Sequence, residues 1–367
     1  MMESRYVVAN IDEIPSPSML IYRDGLRENI AKTVEIAGGP ERLRPHVKTH
    51  KMRNVIEMQC QAGIAKFKCA TLSEARMLAE IGVDDVLIAY QMIGPNIQRL
   101  INLKKSFSGT NFRVIADDPI AVETLSAATS RAGVTIDVLV DLDVGQNRTG
   151  ISPGPDAIEL YILIDHLSGI TPGGLHAYDG HNHQTDFEER LKACQDTLSV
   201  VRAFQAELVS QGLSVPRRVM GGSISFPCYA REEDLEPSPG TTVFWDWGYS
   251  RRFPDLPFKA AALLLGRIIS IPTNTRVTLD LGSKAIASDP DGQRGVALNL
   301  PESIPGRQNE EHWVFECPDT TNLAVGQPIY VFPTHVCPST ALHRQVYVIE
   351  EDGTCREKWT VDARDRE

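Results

Sequence analysis

Between about Leu20 and Tyr249 the chain repeats one pattern, a short apolar run followed by a longer segment with apolar residues three and four apart. The short runs are Arg44–Lys48, Lys66–Ala70, Asp85–Ala89, Phe112–Ala116, Ile136–Asp141, Gly174–Ala177, Arg218–Met220 and Thr242–Trp245. Their length suits strands. The segments between them carry helix punctuation. Ser73 is a possible N-cap and Gly82 a stop around Ser73–Ile81; Asp118-Pro119 opens Ile120–Ala132 and Gly133 follows it; Gly212 closes the amphipathic Asp186–Gln211. Eight strand signals separated by helices predict an α/β architecture, a (β/α)8 barrel of the TIM type, with an open doubly wound sheet as the alternative. Such a barrel collects its chemistry at the C-terminal ends of the strands.

From about Arg251 the helical periodicity fades. The runs Ala262–Ser270, Arg276–Leu281, Gly295–Leu300, Trp313–Cys317, Gln327–Phe332 and Gln345–Glu350 are β-rich and separated by prolines and glycines. They predict a C-terminal all-β domain. The expected division is a barrel over residues 18–250 and a β domain over 251–367, with residues 1–17 a candidate addition to the latter. A net charge of −11 argues against nucleic acid or an anionic membrane as the main partner, while leaving a small anionic ligand open. Seven cysteines at irregular spacing fit cytosolic thiols better than a disulfide framework. Residues 1–5 are followed by no apolar signal-peptide core, and the longest apolar stretch, Ala260 to Ile271, is broken by Gly266 and Arg267. These features together lead us to expect a cytoplasmic protein.

Several candidate site residues fall just after candidate strands. Lys48 ends the first run, with His46, His50 and Lys51 expected to supply positive surroundings. A lysine so placed can shed its proton and form a Schiff base. Arg148 lies in a loop between Gly145 and Gly150 and can present its fork to an oxygen or ring nitrogen, or simply pair with Asp141 or Asp143. Gly221-Gly222-Ser223 offers backbone N–H groups and a hydroxyl, the parts of a phosphate cradle, although glycine pairs are also common turn punctuation. Between Gly174 and His183 stand His176, Tyr178, His181 and His183, which could bind metal, act as acid and base, or line a pocket. His335 and Cys337, bracketed by Pro333 and Pro338, read as a metal pair on an extended segment, with imidazole and thiolate on one side; a buried cysteine beside an exposed histidine is the structural alternative.

Seven motifs occur in a shared order: Pro45–Lys51, Gly145–Gly150, Ala177–His181, Gly221–Ser223, Pro239–Asp246, Asp280–Ala285 and Pro333–Pro338. Together they resemble the D-threonine aldolase and D-serine dehydratase-like group of fold-type III pyridoxal-phosphate enzymes, with an alanine racemase-like barrel and a C-terminal β domain. The resemblance implies Lys48 as the Schiff-base lysine, Arg148 and Tyr178 beside the cofactor, Gly222 and Ser223 on its phosphate, and His335 and Cys337 as ligands of a divalent metal. A thiolate favours zinc, with manganese or another ion as alternatives. His181 is implied as an acid/base or substrate contact, while the roles of His176 and His183 stay open. The implied activity is a pyridoxal-phosphate-dependent lyase on D-3-hydroxy amino acids in a homodimer. Ala177–His181 favours retro-aldol cleavage, and Cys337 favours dehydration to a keto acid and ammonia. An amino-acid racemase would want a second base in place of the metal pair, and non-catalytic cofactor-binding relatives lack the C-terminal domain.

Overall fold

The apolar runs at Lys66–Cys69, Asp85–Ile88, Asn111–Ala116, Ile136–Asp141, Ile170–Ala177 and Arg218–Met220 form parallel strands in chain order, followed by a short strand at Glu236–Pro237. The computed structural model describes residues 3–366 and divides into two units. These strands belong to the unit built from Thr33–Lys48 and Ile56–Gly240. Strand side chains alternate, so residues two apart share a face. Leu87, Ile115, Leu139 and Val219, one from each of four strands, accordingly make one buried apolar cluster.

Two residues earlier on those strands stand Asp85, Arg113, Asp137 and Arg217, and these are ion-paired. Arg113 Nε lies 3.0 Å from Asp137, and Arg217 Nη1 lies 3.7 Å from the same carboxylate. Arg44, fully buried, reaches Asp85 and Glu236 at 2.6 Å each. Buried guanidinium groups are tolerated because carboxylates neutralise them. The N-terminal half of the strands is thus closed by charge pairs, leaving the C-terminal ends for chemistry.

Two expected strands are corrected. Arg44–Lys48 is not a strand: Pro45 has no amide proton, and Val47–Thr49 turns as a 3-10 helix. The segment still bridges the two outermost strands. Arg44 N and His46 N donate to Pro237 O and Pro239 O at 3.0 and 2.7 Å, and Pro45 O accepts from Lys68 N at 2.8 Å. It therefore serves as the irregular eighth stave of the barrel. Thr242–Trp245 is also not a strand: Thr241–Val243 is a 3-10 turn, and Trp245 sits at φ 54. Helix ends follow the expected chemistry, with Asp118 and Asp186 accepting from Ala121 N and Glu189 N. At the third helix, Thr71 rather than Ser73 is the cap, and the helix runs Leu72–Ile81.

The other unit gathers the chain up to Lys32, Thr49–Val55 and Thr241–Arg364. All six expected β runs form strands there. Ile304–Gln308, Cys355–Thr360 and Ser18–Tyr22 join them, giving nine strands among the described residues. Ser18–Tyr22 is central: it pairs antiparallel with Ala262–Thr273 and parallel with Gln345–Ile349. The units therefore cut the chain differently from the 18–250 and 251–367 bounds, because a fully buried strand takes the sheet that satisfies both its edges. Met1 and Met2 lie outside the described residues. Among the described residues no helix is long and apolar enough to cross a membrane.

Candidate active site

Two groups of candidate residues form, one in each unit. In the barrel unit Lys48 closes the irregular stave, and its amide donates to His46 Nδ1 at 3.3 Å. It is exposed, between the fully buried Val47 and Thr49. Lys68 is 3% exposed, and burial followed by the nearby Lys48 charge pushes its amine down to about 7, against the pull of Asp141. Asp141 Oδ1 lies 2.6 Å from His176 Nδ1, and Thr149 Oγ1 donates to Asp141 Oδ2 at 3.0 Å. Burial lowers the His176 pKa against the opposing effect of Asp141, so a neutral imidazole is favoured. Burial would raise the Asp141 carboxyl, and His176 and Thr149 turn the balance to a net lowering.

Asp141 is thus engaged elsewhere, and Asp143 Oδ1 accepts from Gly145 N and Asn147 N at 3.0 Å each. Neither aspartate takes Arg148, whose guanidinium carbon lies 4.8 Å above the Tyr178 ring. The loops carrying these two residues approach closely. Gly145 has φ +125, and a Cβ there would come within 2.8 Å of His181 Nε2. A Cβ on Gly222 would come within 3.1 Å of the Tyr178 ring. The Gly222 N–H donates to Ser225 Oγ at 2.9 Å, and Ser223 Oγ accepts from Gly240 N at 3.1 Å. His183 is exposed, with its amide donating to His181 O.

A fit to a polar cofactor and substrate is visible in unsatisfied atoms. His181 Nδ1 and Gln146 Oε1 are buried with no hydrogen-bond partner among the described residues. Such atoms cost roughly 1–3 kcal/mol each, so a polar ligand that satisfied them would bind more tightly.

In the second unit His335 and Cys337 lie across a strand-to-helix turn rather than on an extended segment. Pro328–Pro333 is the strand, His335 caps the helix Val336–Leu342, and Cys337 and Pro338 fall in its first turn, where proline is tolerated. The two side chains still meet. His335 Nδ1 lies 2.5 Å from Asp289 Oδ2, and the imidazole hydrogen-bonds the Cys337 sulfur. Burial alone would push His335 down, but Cys337 and Asp289 hold it up to about 9. Burial would raise the Cys337 thiol; His335, Thr241 and Thr49 outweigh it and lower it. Thr49 and Thr241 hydroxyls lie 3.2 and 3.4 Å from the sulfur.

Among the described residues no three His, Cys, Asp or Glu side chains gather in a group that could hold a metal ion. The donor set nevertheless fits a metal with open positions. A thiolate and an imidazole are zinc ligands, and a carboxylate on Nδ1 leaves Nε2 as the nitrogen a metal would take.

Sequence reasoning missed Lys68, Asp289, Thr49 and Thr241. Asp289 is 46 positions from His335, and nothing in the local sequence joins them. His50 was misread: 1% exposed and pushed down to about 3 by burial, it is neutral and adds no positive charge.

A parallel barrel with a lysine, an arginine over a tyrosine and a glycine-serine turn after its strands defines a cofactor-holding α/β enzyme. The family model for the alanine racemase N-terminal domain matches residues 21–245, and a serine dehydratase domain model matches 261–349. The chain belongs to this alanine racemase-like family of fold-type III pyridoxal-phosphate enzymes. It is 29% identical over 327 residues to the D-threonine aldolase of Arthrobacter sp, covering 88% of this chain and 85% of the relative. It is 27% identical over 372 residues to the 3-hydroxy-D-aspartate aldolase of Paracoccus denitrificans (strain Pd 1222), covering 96% and 92%. The crystal structure of D-threonine aldolase from Filomicrobium marinum superposes with a TM-score of 0.90 at 27% identity, covering 98% of both chains.

Proposed function

We propose that this chain is a pyridoxal-phosphate- and divalent-metal-dependent lyase that cleaves D-3-hydroxy amino acids between Cα and Cβ, giving glycine and an aldehyde. The His335–Cys337 pair carries the metal-dependent lyase class of this reading. A racemase needs a second proton-transfer residue there, whereas a thiolate and an imidazole backed by Asp289 suit a metal, zinc above all. When bound, the metal supplies Lewis-acid stabilisation of negative oxygen on the substrate. When bound, pyridoxal phosphate supplies an electron sink for the pair left at Cα.

The chain's own residues do the rest. Lys48 would hold the cofactor's aldehyde carbon. Arg148, fixed over Tyr178 at 4.8 Å, would present its fork toward the ring, and the Gly222–Ser223 turn would hold the phosphate. His181, with a buried unpartnered Nδ1, would contact the substrate and take the proton from the β-hydroxyl as Cα–Cβ breaks. The name of the Arthrobacter relative and the structural neighbour support cleavage. The thiolate ligand and the serine dehydratase domain model support a second reading. In it Lys48 Nζ would take the Cα proton, the β-hydroxyl would leave as water, and a second water would hydrolyse the resulting enamine, through its imine, to a keto acid and ammonia. We further propose a homodimer and, from seven free thiols, a reducing compartment such as the cytoplasm.

The test is product analysis with D-threonine and D-serine. Glycine and acetaldehyde from D-threonine are expected; keto acid and ammonia without glycine would replace cleavage by dehydration. Borohydride reduction followed by peptide mapping should mark Lys48, and a mark on another lysine would refute its role.

A further inference from the structure

Asp179 is 1% exposed and lies just past the strand Ile170–Ala177. A carboxylate so buried must be met by donors. Tyr229 OH donates to its Oδ2 at 2.6 Å, Asn182 Nδ2 to the same oxygen at 3.4 Å, and Ser225 Oγ to its Oδ1 at 2.8 Å. A serine hydroxyl has one proton. Having given it to Asp179, Ser225 presents lone pairs, and one accepts the Gly222 N–H at 2.9 Å. The bonds therefore run in one direction, from the glycine amide through the serine to the carboxylate. Tyr229 also shapes the turn: Gly221 has φ +81, and a Cβ there would come within 3.0 Å of the Tyr229 ring and 3.3 Å of Ser225 Oγ. Ser225 and Tyr229, two of the side chains that wall the Gly221–Ser223 turn, are thus held by one carboxylate. A network of this kind is stiff while complete and costly when a member is lost.

We infer that Asp179 is the positioning residue of this turn, fixing through Ser225 and Tyr229 the direction in which Gly221–Ser223 faces the cofactor phosphate. The inference rests on the cofactor reading above. Its test is the ratio of two affinities in the apoprotein, for pyridoxal phosphate and for pyridoxal without the phosphate. The variants are Asp179→Ala, Ser225→Ala and Asp179→Asn, with near-ultraviolet circular dichroism as the fold control. The wild type is expected to prefer the phosphorylated form. Asp179→Ala and Ser225→Ala should each cut that preference about tenfold, the size of a lost hydrogen-bonded constraint. Affinity for unphosphorylated pyridoxal should change little. Asp179→Asn keeps an oxygen for Ser225 and should keep most of the preference.

A general loosening of the fold would weaken both ligands alike. An unchanged ratio in Asp179→Ala and Ser225→Ala overturns the inference. Should Asp179→Ala fail to fold, Ser225→Ala decides by the same ratio. A wild type with no preference for the phosphorylated form would sink the cofactor reading itself, and this inference with it.

Discussion

His50 shows how far a residue's chemistry depends on what covers it. Its Nδ1 accepts from Met52 N at 3.1 Å, its Nε2 is buried without a hydrogen-bond partner among the described residues, and its ring meets Phe244 edge-on at 6.3 Å. The fold favours the neutral ring down to about pH 3, whereas the unfolded chain protonates it near 6.5. Between those values the unfolded state binds the extra proton, so stability is complete above 6.5 and falls as the pH drops toward 3. The slope is on the order of 1 kcal/mol per pH unit. His50→Phe should flatten the loss of melting temperature between pH 6.5 and 4; an equally steep loss in the variant would show that other groups set it. For Cys337→Ala we expect bound divalent metal and turnover to be lost while the absorbance of bound cofactor is kept, measured by metal analysis and spectroscopy on one preparation. Retained metal would exclude the sulfur as a ligand. Of the candidate site residues, the sequence singled out Lys48, Arg148, Tyr178, His181, Gly222, Ser223, His335 and Cys337 because motif and loop chemistry are local. Asp179, Asp289 and Lys68 were not legible, because their meaning comes from partners far along the chain.

At the scale of elements, periodicity and caps were legible where neighbours agreed with them. Asp118 accepts from Ala121 N at 2.8 Å, with Pro119 at the first helical position. Asp118→Ala should cost about 1 kcal/mol of stability in thermal unfolding, the usual worth of an N-cap, and a change near zero would mean that the helix is held by packing alone. Each misread element has its own local cause. Pro45 deprives Arg44–Lys48 of a ladder amide, so its apolar pattern ends as a stave bonded to both outer strands without regular pairing. Thr241–Val243 turns where a strand was expected, as Phe244 N and Trp245 N both fold back onto Thr241 O. The Glu236–Pro237 strand is too short and too proline-rich to stand out in any window.

For the whole molecule, the chain crosses between units several times. Ser18–Tyr22, buried along its length, sits between Ala262–Thr273 and Gln345–Ile349, so the C-terminal sheet takes a central strand from the other end of the sequence. Residues 251–367 expressed alone should therefore fail to unfold cooperatively, because two strands lose the edge that pairs them. Adding residues 1–32 in trans should restore some of that transition, and cooperative melting of the fragment alone would contradict the account.

The sequence by itself determined the alternation of strands and helices, the β texture after Arg251 and the local motifs, because each depends on residues a few positions apart. Only the tertiary structure decided which strand completes which sheet. It also decided which carboxylate bonds His335 and which one receives the Ser225 and Tyr229 hydroxyls. Those outcomes depend on satisfying buried hydrogen bonds and charges between distant segments, and no local window contains both partners.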